Sequence, residues 1–167
     1  SGHRSLPWRD QPIPYYVWVS EIMLQQTRVE AVRPYFDRFI AALPDVFALA
    51  NAKEETLLKL WEGLGYYRRV HYLQRAAKEV VDRYGGVIPS AYEQLRALPG
   101  IGDYTAGAIA SIAYGAPRAA VDGNVLRVST RLCGDFRDIG SLSVKREISA
   151  ALEQVYPIGR CGDFTQS

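Results

Sequence analysis

The sequence predicts an all-α protein of many short helices. Apolar residues recur three and four positions apart, strict polar–apolar alternation is scarce, and the periodic stretches end at glycines or prolines. Together these observations favour helix on helix over any sheet.

The opening segment SGHRSLPWRDQPIPYY carries three prolines and is expected to stay irregular until Pro14, a residue suited to a first helical turn. From Tyr15 to about Val32, YYVWVSEIMLQQTRVEAV contains no breaker and predicts one helix, ended before Pro34. Glu21 stands at its middle, and its neighbours three and four positions away are Val17, Trp18, Leu24 and Gln25. With apolar side chains at most of these positions, a carboxyl there would be partly desolvated and its pKa raised, as a general acid requires. A glutamate on a half-exposed helix face is the alternative this stretch leaves open.

Shorter helices follow over Tyr35 to Leu43, Val46 to Ala50 and Glu54 to Glu62, the last with Leu57, Leu58, Leu60 and Trp61 as its buried stripe. Gly63 and Gly65 flank Leu64, and Tyr66 and Tyr67 lead into a long helix from Arg68 to Tyr84, stopped by Gly85 and Gly86. In GLGYYRR, an exposed leucine between glycines, two tyrosines and the arginines after them would suit a loop that enters a base stack while the arginines hold phosphates. Tyrosines packed into a core are the alternative. Arg68, Arg69, His71 and Arg75 cluster on the long helix, either as a basic patch or as an ordinary solvated face.

Pro89 and Ser90 start the next helix, which feeds LPGIGDYTAG. This stretch has the form of a helix end, a glycine hairpin and a new helix start. Gly100 and Gly102 permit positive φ and close backbone approach, so amides from Ile101 to Thr105 can point outward together at the next helix N-terminus. That is an anion site without a side-chain charge, to which the Thr105 hydroxyl can add a bond to a phosphate oxygen. A plain tight helical hairpin would use the same glycines. Helices over Ala106 to Tyr114 and Asn124 to Leu132, joined through an extended Ala116 to Val121, put Asp122 near a helix N-terminus, as a cap or as a positioned carboxylate. Ser141 to Tyr156 closes the chain as an amphipathic helix with Leu142, Ile148, Leu152 and Val155 on or near its apolar side.

With 167 residues, 48% hydrophobic and 23% charged, the chain can bury a sizeable core, as one domain or as two small lobes. It has no apolar run near the roughly 18 residues of a membrane span and no signal peptide, so an intracellular protein is expected, in the cytoplasm or nucleoid if bacterial. A net charge of +2 is too mild to establish a nucleic-acid partner, and any basic surface must come from clustering. Cys133 and Cys161 fit no metal spacing or disulfide framework and read as free thiols.

Taken in order, VSEIMLQQT, GLGYY, LPGIGDYTAG and VDGNVLRV resemble the helix-hairpin-helix DNA glycosylases, and most closely the adenine DNA glycosylases of the MutY type, over nearly the whole chain from LPWR to DFTQ. The resemblance implies two helical lobes with the active site in the cleft between them. One is a six-helix barrel over residues 15–114 with the helix-hairpin-helix at 98–112. The other is formed by residues 1–14 and 115–167 and stops before the expected iron–sulfur loop. It implies Glu21 as proton donor to adenine, Asp122 as the second catalytic carboxylate and Asn124 as support for their geometry. Tyr104 stands where related glycosylases of the endonuclease III type carry a catalytic lysine, which implies a monofunctional enzyme without strand cleavage. Trp8, Arg9, Leu24 and Gln166 would line an adenine pocket. Gln25, Gln26, Thr27, Leu64 and Tyr66 would meet the opposing base and the opened stack, and Gly100, Gly102 and Thr105 the backbone.

The implied partner is double-stranded DNA carrying adenine opposite 8-oxoguanine or guanine, bound by a monomer with no membrane role. The implied cofactor is a 4Fe–4S cluster whose four cysteine ligands are absent here, so no metal is assigned to any residue present; a monovalent cation at the hairpin is a further candidate. A chain of this extent is expected to bind DNA weakly and excise adenine poorly. A mismatch-specific thymine or uracil glycosylase of the same superfamily, a non-catalytic helix-hairpin-helix DNA-binding module and a structural helical repeat are the alternatives. The module would have no need of Glu21, and no repeat period recurs.

Overall fold

A computed structural model of the chain describes residues 6–116, 121, 123–133 and 141–155, with only the backbone of 123, 124, 132, 133 and 142. Among these residues there are ten helices and no strand, as the sequence predicts: α1 (Pro7–Asp10), α2 (Pro14–Leu24), α3 (Val29–Ala42), α4 (Val46–Asn51), α5 (Glu54–Trp61), α6 (Arg68–Tyr84), α7 (Tyr92–Ala97), α8 (Asp103–Tyr114), α9 (Gly123–Cys133) and α10 (Leu142–Val155). They form two compact units, Ser1–Ile101 and Gly102–Ser167. The division falls at the hairpin, with α1 in the first unit and α8 in the second.

In the first unit α6 lies against α2, α4 and α5, while α2 also meets α1 and α3. Trp18, Met23, Phe36, Phe39, Leu57, Trp61 and Leu73 are fully buried between them. Phe39 meets Trp61 edge-on at 5.9 Å between ring centroids. Asp45 caps α4 by accepting the Ala48 N–H at 2.8 Å, and Gly85 ends α6 in the left-handed conformation that a side chain would strain. The Tyr15 hydroxyl donates to the Leu43 carbonyl at 2.8 Å, and burial pushes its pKa above the ordinary tyrosine value.

Two expectations fail in instructive ways. The proline-rich opening is not irregular up to Pro14, because Pro7 starts the short helix α1, whose Trp8 packs edge-on against Phe36 at 4.8 Å. The helix expected from Tyr15 to Val32 is two helices, broken at Gln25–Arg28, and Pro34 lies inside the second instead of ending the first. The proline removes one N–H and costs about 3 kcal/mol in a helix interior. Burial of Val32, Phe36 and Phe39 on either side of it, at about 1.5–3 kcal/mol for each large side chain, outweighs that cost.

In the second unit α9 packs against α10, and Thr130 turns its hydroxyl back to the Leu126 carbonyl at 2.9 Å. The small residues Ala106, Gly107, Ala108 and Ala110 of α8 are buried, and Gly115 closes that helix at φ +67°.

Candidate active site and nucleic-acid interface

Glu21 occupies the middle of α2 and is 8% exposed, so the reading as a solvated surface carboxylate falls away. Trp18, one turn earlier, is completely buried, and its indole N–H has no hydrogen-bond partner among the described residues. Ser20 is buried as well and donates to the Val17 carbonyl at 2.8 Å. The carboxyl therefore sits on a helix whose surroundings are largely dry.

A cation from α6 meets the end of α2, where the Leu24 carbonyl also accepts the Thr27 N–H at 3.2 Å. Arg69 Nη1 donates to the carbonyls of Ile22, Met23 and Gln25 at 3.0, 2.9 and 2.6 Å, and its Nη2 to those of Leu64 and Gly65 at 3.1 Å each. The last carbonyls of a helix lack intrahelical partners and carry the negative end of its dipole, so a guanidinium there replaces the missing partners. The same group lies 5.5 Å from the ring centroids of both Trp61 and Tyr66. Partial burial lowers its pKa from the ordinary arginine value. Sequence reasoning placed Arg69 in a basic cluster. In the structure it faces inward, while Arg68 and Arg75 flank Tyr72 at 5.8 and 5.7 Å from its ring. His71 reaches Glu54 at 3.9 Å.

Around that clamp the structure brings together Gln25, Gln26, Thr27, Leu64 and Tyr66, five of the expected DNA-facing residues. Leu64 is buried, contrary to the exposed wedge expected from GLGYY, whereas Tyr66 is 64% exposed and Tyr67 42%. Tyrosine, not leucine, is the aromatic surface that the loop offers, and the core-packed tyrosine pair is excluded. Trp61 Nε1 donates to the Gly65 carbonyl at 3.1 Å and adds a second tie from beneath the loop.

At the hairpin the two glycines differ. Gly100 adopts φ +76°, and a Cβ there would lie 2.7 Å from Cβ of Tyr72, so both its conformation and its space require glycine. Gly102 does not use the positive φ that glycine permits. It caps α8 in extended backbone at φ −89°, with open space where a Cβ would stand and no side-chain cap bond. Gly100→Ala is therefore expected to lower stability by about 1–3 kcal/mol. Gly102→Ala should stay within about 0.5 kcal/mol of the parent. Paired thermal denaturation checks this, and equal losses in the two variants would show that the described hairpin geometry is wrong.

Thr105 is buried at 2% exposure, so its hydroxyl is not displayed on the surface as expected. Tyr104, second residue of α8, is 38% exposed. Trp8 is buried, Arg9 exposed and Leu24 half-buried. Asp122 and Gln166 lie outside the described residues, and Asn124 is placed by its backbone alone in the first turn of α9. The implied iron–sulfur cluster does not fit the residues present: it takes four thiolates, the sequence holds two cysteines, and no cluster of His, Cys, Asp or Glu among the described residues could hold a metal. Among the described residues no helix is long and apolar enough to cross a membrane.

Residues 19–155 match the family described as HhH-GPD superfamily base excision DNA repair protein. The chain is 36% identical over 166 residues to an adenine DNA glycosylase of Buchnera aphidicola subsp. Baizongia pistaciae, covering 99% of this chain and 47% of the relative. It is 43% identical over 173 residues to the adenine DNA glycosylase of Homo sapiens, covering 98% and 32%. Among solved structures, a thermostable thymine-DNA glycosylase superposes with a TM-score of 0.84 at 27% identity, covering 99% of this chain and 76% of that one. The chain thus spans about half or less of the length of the curated relatives it matches.

Proposed function

We propose, since this chain belongs to the HhH-GPD superfamily of base excision DNA repair proteins, that it carries the catalytic part of a monofunctional glycosylase that removes adenine mispaired with 8-oxoguanine or guanine. The observation that carries this reading is the buried Glu21 on α2, one turn before the Gln25–Arg28 break that Arg69 holds. A carboxyl in that place is shielded from bulk water and can serve as the proton donor to a base brought beside it.

The target bond lies inside the duplex stack, so the nucleotide must first turn out of the helix. Exposed Tyr66 supplies a flat apolar face for the gap, and the backbone at Gly102 gives a phosphate an unobstructed approach to the start of α8. As the bond between C1′ and the base nitrogen breaks, its electron pair leaves with the base and positive charge grows on the sugar. Proton donation by Glu21 relieves the first, and an ionised Asp122 stabilises the second. Water then adds its oxygen to C1′ and gives up a proton to the carboxylate that Glu21 has become, leaving an abasic site. Two carboxyl groups in different environments divide the work in this way in glycoside hydrolysis generally. Tyr104 offers no amine, so no covalent imine and no strand scission follow.

A thymine glycosylase is the second reading, favoured by the structural likeness to a thymine-DNA glycosylase and by the fact that a tyrosine at position 104 excludes lysine chemistry better than it fixes adenine. Single-turnover excision by the full-length protein on duplexes with A opposite 8-oxoguanine, A opposite G and T opposite G separates the two. Faster release from both adenine duplexes is expected. Faster release of thymine would replace adenine excision by the second reading.

A further inference from the structure

Among the described residues, two that are not glycine have positive φ, Gln26 at +60° and Tyr66 at +50°. Residues in this region cost of order 1–3 kcal/mol and persist only where their surroundings over-determine them. Both follow directly on a carbonyl that Arg69 holds: Gln25 O at 2.6 Å precedes Gln26, and Gly65 O at 3.1 Å precedes Tyr66. The φ angle of a residue sets the orientation of the preceding peptide unit, so pinning that carbonyl pins the unusual conformation. The two turns are 40 residues apart in sequence (66 − 26) and share this one guanidinium.

We propose that Arg69 is a positioning residue that locks the Gln25–Thr27 turn and the Leu64–Tyr66 loop into one unit, so that contact with the opposing base and entry of Tyr66 into the stack occur as a single event. This rests on the reading of both segments as DNA contacts. The guanidinium suits the task because its donors are fixed in one plane and can span both turns, which a lysine ammonium on the same stem cannot do. Its Nε is buried with no hydrogen-bond partner among the described residues, so the side chain forgoes one bond to aim its two terminal nitrogens at five carbonyls. Helix α6 holds a second loop in a simpler way: Gln74 Nε2 donates to the carbonyls of Leu49 and Ala52 at 3.3 and 2.7 Å at the end of α4. That site has no positive φ and none of the expected DNA contacts, and it serves as the control.

The test compares Arg69→Lys, Gln74→Ala and Tyr66→Ala with the parent in the full-length protein. Arg69→Lys keeps the charge and the alkyl stem, so the fold is expected to persist by circular dichroism. Amide hydrogen exchange in the free protein should rise in residues 25–27 and 64–66 together, and single-turnover excision should fall about 10²-fold, the scale set by a misplacement of about 1 Å. Affinity for undamaged duplex, carried by backbone phosphates, should change less than about threefold. Gln74→Ala should raise exchange only near α4 and leave the excision rate unchanged, which a general loss of stability would not allow. Exchange that rises in one loop alone, or in neither, overturns the clamp. Exchange that rises in both with excision and selectivity intact overturns its role in reading DNA. If Tyr66→Ala also leaves lesion selectivity unchanged, it is the assignment of the loops as DNA contacts that fails, independently of the clamp.

Discussion

Glu21→Gln in the full-length protein is expected to slow single-turnover release of adenine by about two to four orders of magnitude, the range that a positioned general acid contributes. Affinity for the lesion duplex should change by less than about tenfold. The amide matches the carboxyl in shape and keeps an acceptor oxygen, so the buried site on α2 is not emptied and the turns that Arg69 holds through main-chain carbonyls are untouched. What is lost is the transferable proton. The departing base then carries its negative charge unrelieved, and the barrier rises without a matching change in ground-state binding. A variant that keeps most of the parent rate would remove Glu21 from the chemistry.

Tyr104→Lys is expected to create an activity, not to diminish one. Residue 104 is the second residue of α8 and 38% exposed, so an ammonium fits there without the cost of burying a charge. The first turn of a helix is the positive end of its dipole, which disfavours the cation and lowers the lysine pKa towards the range where a free amine is available. In the proposed site that amine reaches the abasic sugar, adds to the aldehyde carbon of its open form and loses water to give an imine. Borohydride reduces the imine to a stable cross-link. A band of protein covalently joined to DNA should appear for the variant and be weak or missing for the parent. No trapping by a folded variant would mean that residue 104 does not face the sugar.

How much of this was legible in the sequence depended on what sets each feature. Helices α4, α5 and α6 could be read to within a residue or so, because local signals mark their limits: apolar spacing inside them and Gly63, Gly85 and Gly86 beyond their ends. The break between α2 and α3 could not, since QQTR contains no breaker and the carbonyl at the turn is taken by an arginine from α6, 44 residues beyond Gln25. Carbonyl partners leave no trace in a sequence. Arg69 was therefore read with Arg68 and Arg75 as part of a basic cluster, and the most informative contact near the site was missed. Leu64 was misjudged for a related reason: flanking glycines suggest exposure, but they also allow a turn tight enough to tuck the leucine inward. The apolar neighbours of Glu21 at helical spacing pointed to partial desolvation but left a half-exposed carboxylate open, and only the packing around α2 decides for burial. The difference between Gly100 and Gly102 was not, since both permit any backbone and only the rings and carbonyls around them decide which freedom is used.

The most direct test of the central claim follows free base and abasic sites together, in the same aliquots, for the full-length protein and its Glu21→Gln variant on a duplex with adenine opposite 8-oxoguanine. The account predicts that the parent releases adenine and forms abasic sites in equal amounts with both strands left unbroken, while the variant binds the duplex and forms both products about two to four orders of magnitude more slowly. Adenine release by Glu21→Gln at a rate near the parent's, or strand scission by the parent in step with base loss, would contradict it.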